Sequence, residues 1–153
     1  MTMTDGMATL VISSPTHPAA YVTASLGIEP DWSAEKGDPR PRSGVAEHEP
    51  IRRREFDTSM WVLEVFSDPA TKMAIDDDDS KAFGTLQVLV DRLLGRGEML
   101  VQLRQHYTVQ LSWYGISGGF VLPASLIRDL AELGLDLSGN VYEHDDESTP
   151  FTN

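Results

Sequence analysis

The chain has 153 residues, no cysteine and a formal net charge of -12 at pH 7. That length suits one domain built on one continuous core, and the missing cysteines exclude disulfides and thiolate metal sites, as expected of a cytoplasmic protein. The negative charge speaks against nucleic acid and anionic membranes as partners, since both need a basic surface, and there is no signal-like start and no run of about 18 apolar residues.

The acidity is segregated. Asp57 to Ser80 holds seven acids against Lys72 alone, and Leu135 to Asn153 holds five acids and no base, whereas the rest of the chain is close to neutral. One loop and one tail therefore carry most of the surplus.

Residues 1–6 read as a disordered N-terminus. From Met7 to Ser13 the sequence alternates, with Ala8, Leu10 and Ile12 on one face, which predicts a first strand. Thr16 is then placed to cap a helix in which Pro18 occupies the tolerant first turn and Tyr21, Val22, Ser25 and Leu26 share a face. Gly27 permits the left-handed cap that ends it, and Ile28 and Pro30 lead away. Asp31 to Pro50 is rich in Pro, Gly and charge, with Gly37-Asp38-Pro39 at its centre, and reads as a long surface loop.

Ile51 to Phe56 and Met60 to Phe66 pattern as a hairpin about Asp57-Thr58-Ser59. Its second arm, with Trp61, Leu63 and Val65 on one face and Met60, Val62 and Phe66 on the other, reads as a central strand covered on both sides. After the acidic loop, Asp79 or Ser80 begins a helix whose stripe is Ala82, Phe83, Leu86, Leu89, Val90, Leu93 and Leu94, ended by Gly95. Glu98 to Gln105 forms a short helix. Tyr107, Val109, Leu111 and Trp113 then alternate with polar residues as a strand, and Pro123 opens a helix with Leu126, Ile127, Leu130 and Leu133 inward. Gly134 stops it, Leu135 to Tyr142 reads as the last strand, and residues 144–153 read as a disordered acidic tail. This order predicts a single α+β domain over 7–143, a mostly antiparallel sheet of about five strands with helices mainly on one face; a doubly wound parallel fold is the alternative.

Few residues combine into chemistry. Gly115-Ile116-Ser117-Gly118-Gly119 matches the G-x-S-x-G elbow, with Asp129 or Asp136 and His144 in serine-hydrolase order, but Phe120 to Pro123 separates Ser117 from the next helix. The bland reading, a glycine-rich turn, is preferred. Asp76 to Asp79 invites a divalent cation, yet a calcium loop starting at Asp76 would meet Lys81 and Gln87 where it needs Gly and Glu. The four histidines, His17, His48, His106 and His144, form no ligand pattern. No metal and no cofactor are therefore expected. Arg40, Arg42, Arg52, Arg53 and Arg54 are the one basic concentration and could hold an anion, or pair with the chain's own acids. Trp32, Trp61 and Trp113 read as packing residues, with Trp61 a structural anchor.

Leu26-Gly27-Ile28-Glu29-Pro30, Lys36-Gly37-Asp38, Trp61 in its strand, and Leu130-Ala131-Glu132-Leu133-Gly134-Leu135-Asp136-Leu137 leading to Val141-Tyr142 together resemble a bacterial family catalogued only as a domain of unknown function, the 4279 family, from about Ala8 to Tyr142. The family's usual ending is closer to Leu-Asp-Ile-Asp-Ile-Tyr, where this chain has Ser138-Gly139-Asn140 before Val141-Tyr142. The resemblance brings no catalytic residues; it marks Gly27, Pro30, Gly37, Trp61, Gly134 and Tyr142 as structural positions.

Segregated acidity without an active-site signature makes a non-catalytic interaction module the leading expectation, immunity-like or regulatory, with Asp76, Asp77 and Asp78 facing a basic protein partner. The alternative is a small-molecule or anion-binding protein, or an enzyme, with its site among Arg40 to Arg54, Tyr142 and the 115–119 turn.

Overall fold

A computed structural model describes residues 4–40, 55–66, 84–116 and 122–142. In chain order these form β1 (Thr4–Ser14), α1 (Ala19–Leu26), β2 (Trp32–Ala34), β3 (Ser59–Phe66), α2 (Gly84–Leu93), α3 (Gly97–Leu103), β4 (Thr108–Ile116), α4 (Ala124–Leu133) and β5 (Leu137–Tyr142). The five strands make one sheet in the order β2-β3-β1-β4-β5. It is antiparallel except at β4–β5, where α4 supplies the crossover that a parallel pair requires. The α+β architecture read from the sequence is the architecture present.

Strand register divides the sheet into two unlike faces. Ala8 pairs with Val65 and Trp113, Leu10 with Leu63 and Leu111, and Ile12 with Trp61 and Val109. This row packs with Val22 and Leu26 of α1, Leu86, Leu89, Val90 and Leu93 of α2, Leu100 and Leu103 of α3, and Leu126, Leu130 and Leu133 of α4 in one core. All four helices thus serve the same face. The other face carries Thr9, Val11, Glu64, Gln110 and Ser112, with Trp32, Met60 and Phe66 toward the β2 side.

Trp61 is fully buried and its indole N–H donates to Thr23 Oγ1 at 2.9 Å, so one side chain both fills the core and locks α1 over β3. Tyr107 does the same for the β4 entry, its hydroxyl donating to the Pro18 carbonyl at 2.7 Å. Gly27 and Gly134 adopt φ of +70° and +68° as the left-handed helix ends expected of them.

Several expectations are corrected. β1 begins at Thr4, so Thr4 to Gly6, read as disordered, belong to a strand whose residues Thr4 and Asp5 pair with β4. The centre of the sheet is β1, because it pairs with both β3 and β4; β3 is interior, and its far face is only partly covered, with Phe66 60% exposed. The hairpin with Ile51 to Phe56 gives way to pairing of β3 with β2, a strand inside the segment read as loop, and Phe56 bonds instead to Gly37 and Asp38. Residues 51–54 lie outside the described residues, as do 79–83 and 144–153. Thr16 does not cap α1. Pro18 stands at the N-cap, and the free amides of Ala19 and Ala20 donate to Glu35 Oε1 and Oε2 at 2.8 and 3.0 Å. Tyr21 and Ile127 point outward, 56% and 49% exposed, because their neighbours Val22 and Leu126 take the buried stripe. β5 runs unbroken from Leu137 to Tyr142 beside β4, through Ser138-Gly139-Asn140.

Candidate functional site

A broad groove lies at the β2 edge, and local hydrogen bonds build it. After Pro30 the chain is pinned to β3 at Asp31, whose N–H donates to the Val62 carbonyl at 2.8 Å and whose Oδ2 accepts from the Glu64 N–H at 2.6 Å. β2 follows, and Asp38 then closes a turn in which its Oδ2 accepts from the Glu35 N–H at 2.8 Å. Gly37, at φ +92°, takes a left-handed conformation that a side chain would strain, and its N–H reaches the Phe56 carbonyl at 2.8 Å. Phe56 returns a bond to the Asp38 carbonyl at 2.9 Å, and Pro39 bridges Glu55.

Folded this way, Trp32, Ala34, Phe56 and Met60 meet in an open groove of about 670 Å3 that Ser33, Asp38, Pro39 and Arg40 complete. The Trp32 and Phe56 rings are 6.4 Å apart and tilted by 40°, and the Arg40 guanidinium lies 5.5 Å from the centre of the Phe56 ring. Trp32 remains 41% exposed, an unusual position for the largest side chain. One carboxylate, Asp38, and one guanidinium, Arg40, line this groove, and Asp31, Glu55, Asp57 and Glu64 lie on the same stretches of chain, as does Lys36. The result is a largely apolar trough with one carboxylate and one guanidinium in its lining.

A second cleft, of about 390 Å3, lies between α1 and the α3–β4 turn, with Tyr21, Ser25, Gln102, Gln105 and His106 among its lining residues and Leu103 and Tyr107 beneath. Here the structure joins two histidines that the sequence leaves apart: His17 and His106 stack with centroids 4.3 Å apart and planes 19° from parallel. His17 Nδ1 also meets Thr16 Oγ1 at 2.8 Å. Burial first, then the Glu35 carboxylate and Tyr21, raises the Tyr107 pKa above its ordinary 10.0. No carboxylate is among the residues that line this cleft; its titratable groups are His106, Tyr21 and Tyr107.

Of the arginines singled out from the sequence, Arg40 is described and is stacked on Phe56; Arg42, Arg52, Arg53 and Arg54 lie outside the described residues, as do Asp76, Asp77, Asp78, Ser117, His48 and His144. Gly115 has a packing reason of its own, since a Cβ there would enter the Trp113 indole, and Gly115 and Ile116 continue β4. Pro30 stands between α1 and β2, and Tyr142 ends β5 opposite Ile116. Among the described residues no three His, Asp or Glu side chains group as a metal site, and no helix is long and apolar enough to cross a membrane.

Sequence reasoning missed the groove itself. Its signal was Trp32, a large aromatic in a stretch otherwise of Pro, Gly and charge, but nothing local announces that Phe56 and Met60 will stand beside it. No curated protein and no solved structure matches the chain. A family model described as a domain of unknown function, DUF4279, matches residues 2–144. Nearly the whole chain falls within that match, and the protein belongs to the DUF4279 family.

Proposed function

We propose that this protein is a non-catalytic interaction module that binds a basic protein partner, with the β2 edge groove as its contact surface. The observation that carries the reading is Trp32, left 41% exposed in an apolar trough that Asp38 lines and that lies on stretches of chain richer in acids than in bases. Exposed aromatics with a desolvatable centre and a charged rim are the residues on which interfaces concentrate their affinity. The carboxylates draw a basic partner in and set its orientation, while Trp32, Phe56 and Met60 supply the apolar contact that holds it. The run Asp76 to Asp78 adds negative charge to the same chain and supports the same class of partner.

The site-specific test places a photo-crosslinking amino acid at position 32 and at the exposed position 101 on the helical side, in full chain expressed in its native host. The reading expects position 32 to trap one or a few basic proteins that position 101 does not, with yield falling as salt rises. Trapping of acidic proteins, or the same set from both positions, would contradict it.

A second reading, an anion held by Arg40, rests on the exposed guanidinium in the groove. The Asp38 carboxylate in the same lining opposes it.

A further inference from the structure

We infer that the partner enters as an extended, basic segment that adds a strand to the outer edge of β2; this rests on the interaction reading above and specifies how the site works. Among the described residues, β3 is the sole strand paired with β2. In a strand, alternate residues direct their N–H and C=O groups to opposite edges, so the outer edge of Trp32–Ala34 presents backbone donors and acceptors to an incoming chain.

The groove's lining shows that this edge is accessible. Trp32 and Ala34 pair opposite Val62 and Met60 on the open face, whereas Ser33 pairs opposite Trp61, whose side chain faces the helices. All three line the same groove, so the trough wraps around the edge of β2 and does not merely lie on one side of it. Ser33 is itself exposed, which leaves the edge uncovered from the helical side as well. An added strand would lay alternate side chains over Trp32, Phe56 and Met60, with basic residues reaching Asp31, Asp38, Glu55 or Asp57.

The same features select the occupant. An open strand edge invites a second copy of its own chain, and short length, proline and charge are the usual defences. β2 has three residues, Asp31 precedes it, and Glu35, Lys36, Gly37, Asp38 and Pro39 follow. Two such edges brought together would repeat Asp31 on both strands, while a Lys- or Arg-bearing strand meets opposite charge there.

The experiment uses isotope-labelled full-length protein and nine-residue peptides in which Lys or Arg alternates with Val, Ile or Phe. Each peptide is paired with a Glu-for-Lys/Arg version and with two backbone N-methylated versions, one blocking each edge. The inference expects at least one basic peptide to bind, its Glu version to bind at least tenfold more weakly, and amide exchange at Trp32, Ser33 or Ala34 to slow on binding. Methylation of one peptide edge should weaken binding at least tenfold and methylation of the other should leave it nearly unchanged. Equal binding by both methylated versions without protection in β2 would overturn strand addition and leave the basic-partner reading standing. Equal binding of basic and acidic peptides, or binding by none, would overturn both. A concentration-dependent dimer of the protein whose contact protects β2 would put a second copy where the basic strand is placed, and would also overturn the inference.

Discussion

The two faces of the sheet use the same kinds of side chain for opposite ends. On the helical face Trp61 is sealed in the core with its N–H satisfied by Thr23; at the edge of the other face Trp32 lies beside Phe56 and keeps 41% of its surface in solvent. Burial is worth several kcal/mol to folding at the first position and less at the second, where the ring is only partly covered. A tryptophan left partly exposed in an apolar groove is the feature on which the proposed interaction reading rests.

The largest effect that should separate the two regions is truncation of their tryptophans. Trp61→Ala is expected to cost about 3–5 kcal/mol, since it leaves a cavity and an unpaired Thr23 hydroxyl. Trp32→Ala should cost about 1 kcal/mol or less. Urea unfolding of both variants measures the contrast, and equal losses would erase it. Next comes Gly115→Ala, whose methyl group would overlap the Trp113 ring; overpacking of that kind costs about 1–3 kcal/mol. A Gly115 variant with unchanged stability would mean that the Trp113 indole moves aside freely, and would remove the packing reason for this glycine.

Smaller again is Glu35→Ala, which strips two α1 amides of their acceptor and should destabilise by about 0.5–2 kcal/mol. Thr16→Ala should cost less, and the reverse order would return the cap to the local residue. The smallest effect is alkaline. Because burial raises the Tyr107 pKa in the folded state above 10.0, its contribution is fully present below pH 10 and is lost as pH rises toward the folded value. Wild type should therefore lose stability more steeply above pH 10 than Tyr107→Phe, which also gives up the bond to Pro18, as thermal unfolding across pH 9–11 would register.

What was legible in the sequence is what repeats locally. Alternation placed β1 and β4, Gly27 and Gly134 placed two helix ends, and Trp61 stood out as the anchor of its strand. Interactions joining distant segments were not legible. Thr16 looked like a cap because Thr caps its own helix in many proteins, but Glu35 arrives from β2's far end with two oxygens for two amides. β2 hid because three residues are too few to show a period, and its partner could not be named without knowing that β3 pairs with it. The groove inherits that difficulty: Trp32, Arg40, Phe56 and Met60 come from both sides of that pairing. The stacked His17 and His106 escaped notice for the same reason.

The central claim, that the sheet divides into a face that holds the fold and an edge that binds, is tested most directly by measuring stability and binding in the same variant. Trp32→Ala should unfold within about 1 kcal/mol of wild type, yet bind the tightest of the alternating basic peptides at least tenfold more weakly. Unchanged peptide affinity in a fully folded Trp32→Ala protein, or a loss of stability matching that of Trp61→Ala, would contradict it.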